Sequence, residues 1–401
     1  MHWLSLLALS LLTSASPLTS GFTTRHVLHN VPTGWVAVDP APANHLIEMR
    51  IGLKQGRMDE LISALEQVSD PSHARYGMHL SKAEVDELVA PPEDTVKTVE
   101  EWLNAHGVKV SGRSSAGDWL HARVSVARAE RMLNTRYSVY RHTSGNHIIR
   151  SRSYALPKWM DRHIDLIQPT TYFGPTRDLA PQFDVEKRTL QGAAATNVTD
   201  CDLYTTPACL RKLYKTEGYV PNATDKNSIG ITGYLGKSII LSSFFKLNRP
   251  EAQNPTFTVE LVNGGQNNET NPGVEGNMDV QYANVITYPT PNVFYSTKGL
   301  APFLNDSTTV TSSNEPYLEW VNYMLAKDKL PPTISTSYGE TEQTVPRDYA
   351  IRVCNSFAQL GARGISLLFA SGESSPPPHV SHIFIALFPL QVIMALALAR
   401  A

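Results

Sequence analysis

Between residues 228 and 370 short apolar runs alternate with stretches of helical periodicity, and this alternation restricts the possible folds more than any other feature of the chain. Strands are expected at 228–235, 257–262, 292–297, 333–337 and 365–370, and helices at 275–285, 315–327 and 347–360. The helix at 315–327 would open on Asn314 as its cap, with Pro316 in the first turn. The helix at 347–360 would close at Gly361 and Gly364. Strands interleaved with helices in this way favour a mostly parallel sheet with helices on both faces. Ligands of such sheets bind beyond the carboxyl ends of the strands, where Gly339 and Gly372 would lie.

Residues 21–175 have a different pattern. Leu61, Ile62, Leu65 and Val68 recur at helical spacing, and a turn-rich link follows at 69–77. Ser81 reads as an N-cap, with Glu84 completing a capping box ahead of Val85, Leu88 and Val89. A further helix is expected at 95–106, a strand at 119–126 and a helix at 126–133. Together these imply an α+β sandwich.

The first 20 residues carry an apolar run from Leu4 to Leu12 followed by small residues, the pattern of a secretory signal peptide and too short for a membrane span. Asn197-Val-Thr, Asn222-Ala-Thr, Asn268-Glu-Thr and Asn305-Asp-Ser are glycosylation acceptors, all located after residue 190. Residues 176–200 are polar and contain the dibasic pair Lys187-Arg188, which suits an exposed linker with a processing site. Of three cysteines, Cys201 and Cys209 are close enough to close a small disulfide loop, leaving Cys354 over. Net charge is −2, which gives no electrostatic reason to expect a nucleic-acid partner, and the scattered Lys and Arg read as solvated faces.

Glu275 and Asp279 are four apart in a predicted helix, so their carboxyl groups share one face and should share a proton in mild acid. Such a pair can act as a general base where histidine would already be protonated. The same spacing also suits a solvated acidic face or one end of a cation site. The flanking residues point to the first use. Asn271-Pro-Gly-Val-Glu275-Gly-Asn-Met-Asp279-Val-Gln-Tyr-Ala283 resembles the Glu-x-x-x-Asp segment of the sedolisins, the serine-carboxyl peptidases. Ser69-Asp-Pro-Ser-His-Ala-Arg-Tyr-Gly-Met-His-Leu-Ser81 is similar to the activation-domain signature of that family. Leu261-Val-Asn-Gly-Gly265, Ser335-Thr-Ser-Tyr-Gly339-Glu-Thr-Glu342 and Phe369-Ala-Ser-Gly372 resemble other family segments in the same order.

The resemblance implies a signal peptide (1–20), an activation domain (21–175), the linker (176–200) and the N-terminal part of a catalytic domain (201–375). The fold class it implies is α/β, with an incomplete subtilisin-like parallel sheet carrying helices on both faces, preceded by the α+β sandwich. It implies a Ser-Glu-Asp mechanism on polypeptide substrates, with Glu275 as base and Asp279 as its partner. The activation domain would act as an intramolecular inhibitor that blocks the cleft until acid releases it, and the product would be secreted, with no role for a membrane. Two departures stand out. The oxyanion-hole aspartate is replaced by Glu373, and no Gly-Thr-Ser, the family's nucleophile segment, occurs in the chain. The family's calcium ligands and the downstream cysteine with which Cys354 would pair in the family are not found here either. Residues 376–401 turn apolar after Pro376-Pro-Pro378, which suits an aberrant terminus, a membrane or lipid-anchor tail, or a short secreted isoform. The chain as written is expected to be inactive. The alternative is a non-catalytic secreted protein whose activation domain inhibits a full-length relative.

Overall fold

A computed structural model describes residues 21–173, 201, 205–222, 224, 226–234, 242–252, 257–267, 274–304, 314–340 and 342–370. The expected signal peptide, linker and apolar tail fall outside these residues. In the first unit the chain runs β1 (Phe22–Val27), β2 (Trp35–Pro40), β3 (Leu46–Leu53), α1 (Met58–Ser69), α2 (Lys82–Val89), α3 (Glu93–Ala105), β4 (Val110–Arg113), β5 (Trp119–Ser125), α4 (Val126–Met132), β6 (Ser138–His142), β7 (His147–Arg150), β8 (Ser153–Pro157) and β9 (Ile164–Gln168).

The main sheet of this unit is antiparallel, in the order β4-β5-β3-β9. With α1 to α3 between β3 and β4, and α4 after β5, this is the split β-α-β arrangement. Strand alternation assigns the two faces. Met49, Ile51, Leu120 and Val124 pack with Val99, Trp102 and Leu103 of α3 and with Ala129 and Met132 of α4. The intervening Arg50 and Trp119 turn to the other face, towards the second unit. Two smaller antiparallel sets, β2-β6-β7 and β1-β8, extend the unit. At α2 the Ser81 side chain accepts from the Glu84 amide while Glu84 accepts from the Ser81 amide, so the capping box is present.

The second unit runs α5 (Pro207–Leu213), β10 (Ile229–Tyr234), α6 (Ser242–Asn248), β11 (Thr258–Val262), α7 (Val274–Thr287), β12 (Asn292–Thr297), α8 (Tyr317–Ala326), β13 (Thr333–Thr336), α9 (Arg347–Ala362) and β14 (Ser366–Phe369). Its five strands are all parallel, in the order β11-β12-β10-β13-β14. Ile231 and Phe294 pack under α6 and α7 with Phe245, Val280 and Val285. Tyr234 and Tyr295 point the opposite way, into a core built on α8 and α9. Helices thus cover both faces, α6 and α7 on one and α8 and α9 on the other.

Two expectations need correction. Asn314 does not cap α8. It is buried, and its amide donates to the carbonyls of Pro302 and Thr344, at 2.9 and 3.0 Å, so Pro316 takes the cap position. Nor are all the basic residues solvated. Arg352 on α9 has a side chain only 1% exposed and binds the first unit. Its guanidinium donates to Asp118 Oδ2 at 2.7 Å, Asp165 Oδ2 at 2.9 Å and the Leu53 carbonyl at 2.6 Å, and it lies 4.9 Å from the Trp119 ring centroid. A forked pair between Arg50 and Glu319 of α8, with one arm at 2.6 Å, flanks it. A charged guanidinium is tolerated at this depth because opposed carboxylates and backbone carbonyls meet both of its terminal nitrogens.

Candidate active site

The loop that leads into α7 turns sharply after β11. Asn263 and Gly264 take positive φ, at 51° and 75°. A Cβ at Gly265 would collide with the Ser296 carbonyl, so only glycine permits this approach. Ser296 Oγ in turn donates to the Gln266 carbonyl at 2.7 Å and ties the loop to the end of β12.

Glu275 then lies in the first turn of α7, where the helix dipole favours a negative charge. Asp279 lies one turn on, and both side chains are half-buried. Ser337, the first residue after β13, donates its hydroxyl to Asp279 Oδ1 at 2.8 Å. Asp279 Oδ2 is buried and has no hydrogen-bond partner among the described residues. Burial pushes the Asp279 carboxyl up to about 7; the Ser337 hydrogen bond opposes this and the Glu275 charge adds to it. Asp279 therefore carries a proton through the mildly acidic range, and the neighbouring Glu275 is the group left to accept one.

Aromatic rings line this end of the sheet. Tyr234 meets Tyr317 and Tyr338 edge-on, with centroids 5.3 and 5.2 Å apart. Tyr317 donates its hydroxyl to the Tyr338 carbonyl at 2.8 Å, which holds the segment after β13 in place. Burial, and then the charges of Asp279 and Glu275, push the Tyr338 phenol up, so it stays a neutral donor. Beside these rings is a second acid pair. Burial raises Glu315 and Glu340 above the usual carboxylate range, and the two are hydrogen-bonded to each other.

The sequence brings Glu275 and Asp279 together by helical spacing alone, but it does not reveal Ser337, Glu315 or Glu340 as their neighbours. Ser337 is 58 residues from Asp279 and reaches it only because α7 begins, and β13 ends, at this edge of the sheet. Glu315 precedes α8 and Glu340 follows β13, so only the sheet order joins them. Cys201 and Cys209 form a disulfide, with Cα atoms 5.7 Å apart, and Cys354 is half-buried on α9. Asn222 is exposed. Glu373, Lys187, Arg188, Asn197, Asn268 and Asn305 lie outside the described residues. Among the described residues no group of three or more His, Cys, Asp or Glu side chains is arranged to hold a metal ion. No described helix is long and apolar enough to cross a membrane.

The described part of the first unit docks on α8 and α9, on the face of the sheet opposite α7.

Residues 33–173 match the family model described as "Pro-kumamolisin, activation domain". Most of the chain is similar to fungal peptidases. It is 36% identical over 388 residues to a probable tripeptidyl-peptidase, SED3, of Trichophyton verrucosum, covering 93% of this chain and 65% of that one. It is 37% identical to the corresponding protein of Arthroderma benhamiae, covering 86% and 60%, and 35% identical to that of Arthroderma otae, covering 89% and 62%. The chain spans less than two thirds of the length of these curated relatives.

Proposed function

The chain belongs to the sedolisin family, and from that premise we propose that it is the precursor of a secreted acid peptidase that releases tripeptides from the free N-termini of polypeptides. One observation carries the reading: a half-buried aspartate, fixed by Ser337, stands one helical turn from Glu275 at the carboxyl ends of parallel strands. In the reaction a serine hydroxyl attacks the scissile carbonyl while its proton passes to Glu275. Glu275 then returns the proton to the leaving amine, and water hydrolyses the acyl-enzyme by the same exchange. Asp279, protonated in acid, stabilises the Glu275 carboxylate by hydrogen bonding. A protonated carboxyl at Glu373 would donate to the oxyanion, and its extra methylene would displace that donor relative to an aspartate, at a cost in rate of up to ~10²–10³.

The serine belongs in a Gly-Thr-Ser segment, and these 401 residues hold none. We therefore assign them the base and its partner, and expect no turnover from these residues by themselves. The remaining strands of a subtilisin-like sheet and any calcium ligands would come from further sequence, so no catalytic step is assigned to calcium. Asn197, Asn222, Asn268 and Asn305 fit glycan attachment on the way to the extracellular space, and Lys187-Arg188 fits release of the activation domain.

The test is a chimera that appends the C-terminal third of one of the related tripeptidyl-peptidases. Acid treatment should yield tripeptide release that falls at least ~10²-fold on Glu275→Gln. Turnover that survives this change would sink the assignment. A second reading, in which residues 21–188 inhibit a full-length relative in trans, draws on the separate core of the first unit and its polar docking face. Inhibition of such an enzyme at micromolar concentration tests it.

A further inference from the structure

Resting on the reading of Glu275 and Asp279 as base and partner, we propose that Ser337 is a positioning residue that fixes which Asp279 oxygen carries the proton shared with Glu275, and sets the pH at which the pair gives it up. The geometry is specific. The Ser337 hydroxyl donates to Oδ1 at 2.8 Å, so Oδ1 is committed as an acceptor. Oδ2 is buried without a partner among the described residues and is the oxygen left to hold a proton. An O–H there can donate to the carboxyl one turn away on the same helix face, and a lone acceptor at the same depth would be costly.

Position and chemistry come from separate elements. Asp279 is fixed to α7 and Ser337 to the end of β13, so the bond also sets the rotation of α7 against the sheet. The Tyr317 hydroxyl holds the adjacent Tyr338 carbonyl and keeps Ser337 from drifting. The groups that act on Asp279 are the Glu275 charge on its own helix and Ser337 across from it, with Tyr338 as the nearby phenol. A donor to the ionised carboxyl lowers its pKa, so Ser337 opposes burial and keeps the proton exchangeable instead of locked on Asp279. Threonine would keep the hydroxyl, and alanine would remove only the donor.

The experiment is a ¹³C carboxyl NMR titration of the intact 401-residue chain between pH 4 and 9, with the Asp279 signal assigned by Asp279→Asn. It does not depend on turnover, so its outcome is separable from that of the peptidase assignment. Ser337→Ala should raise the Asp279 midpoint by about one unit, and Ser337→Thr should restore it. Glu275→Gln should lower the midpoint in both backgrounds. An unchanged midpoint in Ser337→Ala, with the rest of the spectrum conserved, overturns the proposal. A rise that threonine does not reverse overturns it too, because it would reflect packing and not the hydroxyl.

Discussion

The two units of this chain set their acids in different surroundings. The activation unit pairs its acids with bases or backbone donors: Asp161 with Arg25, Asp165 with Lys54, and Glu84 with the Ser81 amide and hydroxyl. Three of its imidazoles are shifted towards the neutral form. His26, His121 and His163 are all lowered, each mainly by burial. Alongside its own ion pairs, Lys327 with Glu260 and Arg249 with Glu251, the sheet unit gathers carboxyls against one another and against phenols. Asp279, Glu315, Glu340 and Asp348 are all raised, burial being the largest cause for each.

These shifts have opposite signs in stability. A histidine lowered in the folded state binds its proton more readily when unfolded, so stability is present above about pH 6.5 and declines as pH falls below it. The lowered carboxylates Asp70 and Glu84 act in the same direction, losing their contribution as pH falls through their folded values. A carboxyl raised in the folded state contributes most below its unfolded pKa of about 4, and that contribution is lost as pH rises towards its folded value, about 7 for Asp279. On these shifts acid is expected to weaken the activation unit and to favour the sheet unit. Arg352 and Arg50 join the two responses across their shared face.

The largest expected effect is on that junction. Arg352→Met leaves Asp118 buried without its cation and Asp165 with Lys54 alone, and should weaken docking by about 3–5 kcal/mol. Thermal unfolding at pH 7 should then split into two transitions, and a single unshifted transition would show that the ion pairs do not hold the units together. Next is Asp279→Asn, which imitates the protonated carboxyl. It should stabilise the sheet unit at pH 8 by about 2–3 kcal/mol and do little at pH 4, as a comparison of melting temperatures would show.

The region around Asp279 also marks how far the sequence is legible. The β12 and α9 starting positions match the expected ones, because Asn292 follows a proline and Pro346 precedes α9. In the activation unit most strands escape the sequence pattern. β3 ends on Ile51, Gly52 and Leu53, all buried, so the alternation that identifies a half-buried strand is lost just where the sheet is covered on both faces. At the site, helical spacing finds Glu275 and Asp279, but spacing carries nothing about a hydroxyl 58 residues away or about two glutamates placed together by strand order. Asn314 misleads because a capping residue type can serve buried carbonyls equally well.

A smaller effect is expected at His26, on β1. Its Nδ1 lies 2.7 Å from Thr171 Oγ1, and its Nε2 is buried without a partner among the described residues. It shares a cavity of about 760 Å³ with Asp348, Arg25 and Lys54. His26→Gln should shift the acid unfolding midpoint of the activation unit to lower pH and leave the alkaline limb of the sheet unit unchanged. The smallest is Ser81→Ala. It removes the capping box of α2, costs about 1 kcal/mol, and should appear as faster exchange of the α2 amides only.

The opposition of the two units is tested most directly by hydrogen exchange of the intact chain from pH 4 to pH 8, corrected for intrinsic rates and read on peptides from β3 and β5 against peptides from β10 and β12. If the two units respond to acid with opposite signs, protection of β3 and β5 falls as pH drops, while protection of β10 and β12 rises. Protection that moves in the same direction in both sets would contradict that opposition.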